Sequence, residues 1–94
     1  MFAFRDINPV APVHILVIPK NKDGLIGLSR AEERHEQILG KLLVAASKIA
    51  KSEKLENGYR IVINDGEDAG QAVPHLHVHL LGGCKFSWPP GTSL

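Results

Sequence analysis

Three histidines at alternate positions, in His75-Leu76-His77-Val78-His79-Leu80-Leu81, restrict this chain more than any other feature. A strand has a period of two, so one face would carry His75, His77 and His79, and the other Leu76, Val78 and Leu80. The apolar face asks for cover, here expected from a helix. Three imidazoles on the opposite face are costly to bury without partners.

The rest of the chain supplies that frame. Phe2-Ala3-Phe4-Arg5-Asp6 reads as a short strand running into a turn-rich link through Asn8, Pro9 and Pro12. His14-Ile15-Leu16-Val17-Ile18, between Pro12 and Pro19, reads as a buried strand. Residues 20 to 27 form a loop. Ser29-Arg30-Ala31-Glu32 matches a capping box, predicting a helix from there to about Ser52. Leu39, Leu42, Leu43, Ala46, Ile49 and Ala50 recur at spacings of three and four and define its inner face. Glu32, Glu33 and Glu36 lie early and Lys48, Lys51 and Lys54 late, in keeping with the helix dipole. Tyr59-Arg60-Ile61-Val62-Ile63 is a further strand. The turn from Asn64 to Gly70 is too short for a crossover helix, so this strand and the histidine strand should pair antiparallel. The expected class is α+β: one long helix packed on one face of an antiparallel sheet, in a single domain over residues 1–94.

Charge narrows the functions. Eleven Lys and Arg oppose ten Asp and Glu, a net charge of +1, which argues against general binding to nucleic acid. No apolar run is long enough to span a bilayer, and no secretory signal precedes Arg5. The lone Cys84 cannot form an internal disulfide. A cytoplasmic setting follows, with the nucleus also open.

The histidine face admits three readings. It could be a solvated surface. It could hold zinc, with Cys84 and His14 as the further ligands nearest in type. Same-face neighbours on a strand start roughly 6.6–7 Å apart, however, so His75 and His79 begin roughly 13 Å apart, too far to share one ion easily. The third reading is nucleophilic and acid–base chemistry. Imidazole is a nucleophile with a near-neutral pKa, and a neighbour on the same face can protonate a leaving group. Gly66, Gly70 and Gln71 suit this reading, because glycines let backbone N–H groups turn toward an anion. His14 reads as a packed or hydrogen-bonded structural residue, His35 as solvated on the helix, and Asp65, Glu67 and Asp68 as a solvated turn.

The segment from His75 to Leu81 resembles the histidine-triad (HIT) motif, His-φ-His-φ-His-φ-φ with φ apolar. The resemblance extends to Phe4-Arg5-Asp6-Ile7-Asn8-Pro9, Ala11 to Lys20, Gly58-Tyr59-Arg60, Asn64, Gly70-Gln71, Gly82-Gly83 and Trp88-Pro89-Pro90-Gly91, which are similar to the Hint branch. It implies a HIT-like homodimer that hydrolyses purine nucleoside phosphoramidates, with no cofactor and no metal. His77 would be the nucleophile, forming a nucleotidyl-histidine intermediate, and a main-chain carbonyl would orient its other ring nitrogen. His79 would stand nearest the leaving group and donate a proton, and His75 would hold the surrounding network. Asn64 would meet sugar or phosphate. Gly70, Gln71 and the backbone near Ala72 and Val73 would cradle the phosphate, and Trp88 would lie near the partner subunit's site. Ala72 stands where many members have serine, and Pro74 where an aromatic residue is common. Members also carry a segment before the position of Phe2 that clamps purine and ribose, and the chain as given begins without it. Two other activities are consistent with the resemblance: hydrolysis of dinucleoside polyphosphates, and nucleotide binding with little turnover.

Overall fold

The computed structural model describes residues 1–91; positions 92–94 of the expected domain lie outside the described residues. Four strands form one antiparallel sheet: β1 (Phe2–Arg5), β2 (Val13–Ile18), β3 (Tyr59–Val62) and β4 (Val78–Gly82). Their order is β1-β2-β4-β3, so the first and third strands form the edges. One long helix among the described residues, α1 (Glu36–Ser52), packs against β2 and β4.

The register explains the two faces. Ile15 lies opposite Leu80, which lies opposite Ile61, and Val17 lies opposite Val78. Directly opposed residues share a face. That face meets Leu42, Ala46 and Ala50 of α1, and with Leu25 and Leu76 they form the buried core. Leu16 and Val62 flank His79 in the register, and His14 lies two residues before Leu16 on the same side. Apolar cover on one side and histidines on the other thus follow from the strand period, as the sequence suggests.

Four local expectations need correction. The helix does not start from Ser29. Leu28–Arg30 and Glu33–His35 are separate 3-10 turns, and the capping box is formed by Glu32 and His35. Ser29 instead donates its backbone N–H to Asp65 Oδ1 at 3.0 Å. Asp65 is therefore a fastener between two loops, not part of a solvated turn. His35 is fully buried, its ring replacing a capping carboxylate. On the helix, Leu43 is half exposed and does not belong to the inner face.

The histidine strand is also shorter than its pattern. β4 begins at Val78, so His75 and His77 precede it. The reason lies in β2: its pairing with β4 ends at Val17↔Val78, and Pro19, just beyond, has no N–H to offer. Leu76 instead donates its N–H to the Leu25 carbonyl at 2.9 Å. Burial still alternates, with Leu76, Val78 and Leu80 inside and the histidines between them half buried. At the far end Gly82 closes the strand against Leu55, whose methyl carbons would lie 2.6 and 2.8 Å from an added Cβ.

Candidate active site

The cluster is built from one strand, the segment leading into it, and the neighbouring β2. His77 Nδ1 lies 2.8 Å from the His75 carbonyl oxygen. A carbonyl only accepts, so Nδ1 carries the proton and Nε2 of the neutral ring keeps its lone pair. His75 is fixed in turn, its Nε2–H donating to the Pro19 carbonyl at 2.9 Å. Pro19 is buried where β2 ends, and that carbonyl is free because the ladder has stopped. The first histidine therefore sets the main-chain oxygen that sets the tautomer of the second.

The third histidine is fixed from below. Val10 N–H donates to His14 Nδ1 at 3.2 Å, which places the proton of neutral His14 on Nε2. His14 Nε2 lies 2.9 Å from His79 Nδ1, so His14 donates and His79 accepts. His79 is left with its N–H on Nε2. Rings 77 and 79 are edge to face at 5.1 Å between centroids, and rings 14 and 79 are 5.2 Å apart. Asp6 Oδ2 lies 3.5 Å from His14 Nε2, and its Oδ1 is held by Asn8 N–H at 2.8 Å. Burial of the ring pushes the His79 pKa below its usual 6.5; nearby His77 and His14 add to the shift and Asp6 opposes it. A standing imidazolium at this position is thus disfavoured. Protonating Nδ1 would also set two N–H groups against each other.

His14 is only 6% exposed and fully hydrogen-bonded, as a structural histidine should be, but its partner is a member of the triad. Sequence reasoning missed that link and Asp6 with it. The signals were the β2–β4 register for His14 and the β1–β2 register for Asp6, which no local pattern reveals.

The remaining expected residues surround the mouth. Asn64 is half buried just after β3. Gly66 (φ 84°) and Gly70 (φ 75°) bracket a 3-10 turn at Glu67–Ala69, in conformations that favour glycine. Ala72 and Val73 are exposed, and among the described residues no protein group accepts from their N–H groups. Gln71 differs from expectation: its side chain is spent on the protein. Its Oε1 accepts from Gly66 N–H at 2.9 Å, and its Nε2 donates to the carbonyls of Ile26 at 2.7 Å and Val73 at 3.0 Å. It shapes the loop and does not reach outward. Trp88 is 82% exposed.

Among the described residues, Asp6, His14 and His79 could be read as metal donors, with one ligand atom each within 4.8 Å of the others. They do not suit zinc as they stand. Three donors would make at most an open site, and a neutral His14 cannot both accept from Val10 and offer Nε2 to an ion. Cys84 is exposed and is not part of the group.

What this arrangement can do is attack from one imidazole nitrogen beside a second imidazole that presents an N–H. Known proteins resemble this chain over nearly its whole length. A model of the HIT domain matches residues 1–86. A maize protein named 14 kDa zinc-binding protein is 65% identical over 91 residues, covering 97% of this chain and 71% of its own length. The Arabidopsis thaliana protein named adenylylsulfatase HINT1 is 62% identical, covering 97% of this chain and 62% of its own length. Among solved structures, a HIT family hydrolase from Legionella pneumophila superposes with a TM-score of 0.90 at 44% identity, covering 95% of this chain and 79% of that one. A histidine triad nucleotide-binding protein from Candida albicans superposes at 0.69 with 30% identity, covering 97% and 69%.

Proposed function

The chain belongs to the HIT family of hydrolases, and from that membership we propose that it cleaves the P–N bond of purine nucleoside phosphoramidates through a nucleotidyl-histidine intermediate on His77. The observation that carries this reading is the 2.8 Å bond from His77 Nδ1–H to the His75 carbonyl, which leaves Nε2 as an oriented lone pair.

In the first step His77 Nε2 forms a bond to phosphorus, and the P–N bond breaks with its electron pair going to the amine. The amine leaves only if it gains a proton. His79 is the donor, although its free-state pKa is low. An anionic phosphoryl group beside it favours its charged form, so substrate binding itself restores the acid. In the second step water attacks phosphorus, His79 takes its proton, and the bond to His77 breaks. Gly66 and Gly70 shape the loop, while the N–H groups of Ala72 and Val73 face the phosphoryl oxygens and Asn64 the sugar. No metal is required by this route, and the self-satisfied Asp6–His14–His79 set supports leaving it out.

A second reading is favoured by the depressed His79 pKa and by the Arabidopsis relative's name: adenylyl sulfate as substrate. Sulfate leaves without protonation, so this reaction makes no demand on an acid. A homodimer forms part of the proposal. The edge strand β3 and the exposed Leu43, Val44 and Trp88 support it.

The test uses a fluorogenic adenosine phosphoramidate and adenylyl sulfate side by side, with wild type and His77→Ala. Turnover of the phosphoramidate that disappears in the variant is expected. Faster turnover of adenylyl sulfate would select the second reading. AMP binding with no His77-dependent turnover of either would sink the hydrolytic proposal in favour of a binding module.

A further inference from the structure

His35 and the loop from Asn21 to Gly27 lie outside the reacting cluster, yet hydrogen bonds connect them to it. His35 is fully buried at the end of the turn that precedes α1. A buried imidazole is tolerated only when its nitrogens find partners. Nδ1 accepts from Glu32 N–H at 2.9 Å, so the neutral ring has its proton on Nε2. That N–H donates to the Asp23 carbonyl at 2.9 Å, with the Asp23 carboxylate at 3.3 Å.

The turn it holds is an unusual one. Asp23 has φ 44° and Gly24 φ 78°, and a non-glycine residue in the left-handed region needs surroundings that keep it there. The turn closes through Leu25 N–H to the Lys22 carbonyl at 2.7 Å and drives the Leu25 side chain fully into the core. From this anchored position two consecutive carbonyls reach the site. Leu25 accepts from the N–H of Leu76, the residue between His75 and His77, at 2.9 Å. Ile26 accepts from Gln71, whose other bonds shape the Gly66–Gly70 loop. The loop thus takes over the work of β2 where Pro19 ends the ladder.

We propose that His35 is a positioning residue for the nucleophile: through the Asp23 carbonyl it fixes the turn whose Leu25 carbonyl holds Leu76, and with it the His75 carbonyl that orients His77. For its activity readout the inference rests on the reading of His77 as nucleophile; its backbone readout does not.

Two variants separate positioning from folding. His35→Asn keeps a side-chain oxygen for Glu32 N–H but is too short to reach Asp23. His35→Gln puts an amide N–H near the place of Nε2. Leu55→Ala serves as a control that loosens the packing at the far end of β4, against Gly82. With the phosphoramidate substrate, His35→Asn is expected to lose kcat by about tenfold or more, since small misplacement of a reacting group is costly, with KM within about twofold. His35→Gln should recover most of it, and Leu55→Ala should keep kcat at temperatures well below its melting point. In parallel, amide exchange at Leu76 and the ring NMR shifts of His77 should change in His35→Asn and return in His35→Gln. If His35→Asn keeps wild-type kcat and Leu76 protection, the inference is overturned. If the wild type itself shows no turnover, the functional proposal fails, and Leu76 exchange alone decides for or against the strut.

Discussion

The ionisation of His79 depends on its surroundings. Its pKa is lowered first by burial and then by His77 and His14. Below 6.5 the unfolded chain therefore binds a proton that the folded chain resists, so stability rises with pH through the window between the folded pKa and 6.5. Acid below that window carries the full penalty. NMR titration should place the His79 midpoint below 6.5, and Asp6→Asn should lower it further, because the carboxylate is the one neighbour that opposes the shift. A midpoint at or above 6.5 would contradict the burial argument. For catalysis, the limb of kcat should lie at higher pH than that of kcat/KM, since the bound anion favours the charged ring. Replacing the residues outright separates their roles. His77→Ala should remove turnover, and His79→Ala should cost roughly 10²- to 10⁴-fold, the usual range for a general acid. The loss should shrink for substrates whose leaving group needs no proton.

The elements carry the site through two kinds of junction. One is the apolar contact of β4 with α1. Leu80 is fully buried opposite Ile15 and Ile61, so Leu80→Ala should cost about 2–5 kcal/mol in chemical denaturation, the range for buried leucine truncation. The other is loop to loop. Asp65 holds Ser29, and an added Cβ at Gly27 would run into the Asp65 carboxylate and crowd Gln71 Oε1 at 3.1 Å. Gly27→Ala should therefore weaken the clamp on the Gly66–Gly70 loop and, on the proposed phosphate cradle, raise KM more than it lowers kcat, as steady-state kinetics can show. An unchanged KM would mean that the clamp does not reach the phosphate.

At the scale of the molecule, a four-stranded sheet covered on one face leaves two edges and little core to spare. Small domains gain stability by association. If a second copy covers part of this surface, the melting midpoint should rise with protein concentration, by mass action, and sedimentation should give twice the mass of the chain. A concentration-independent midpoint with the mass of one chain would remove the dimer from the proposal. No helix of the described residues is long and apolar enough to cross a membrane.

The amino-acid order alone determined most of what depends on periodicity, Leu43 and the start of the histidine strand being the exceptions. Alternation from His75 to Leu81 set the two faces, spacings of three and four marked Leu42, Ala46 and Ala50 as the inner stripe of the helix, and the short link after β3 required antiparallel pairing. It also named the triad, because those three residues are local to one another. Tertiary structure decided what depends on residues distant in the chain. His14 meets His79 only through the register of β2 on β4, 65 residues apart for the two rings, and Asp6 joins them through the register of β1 on β2. His35 is buried because Asp23 offers it a carbonyl across a turn, and Gln71 turns inward because Ile26 and Gly66 meet its amide. A side chain's local setting specifies which face it takes. Its hydrogen-bond partners, and so its tautomer and charge, come from whatever the fold brings within about 3 Å of it.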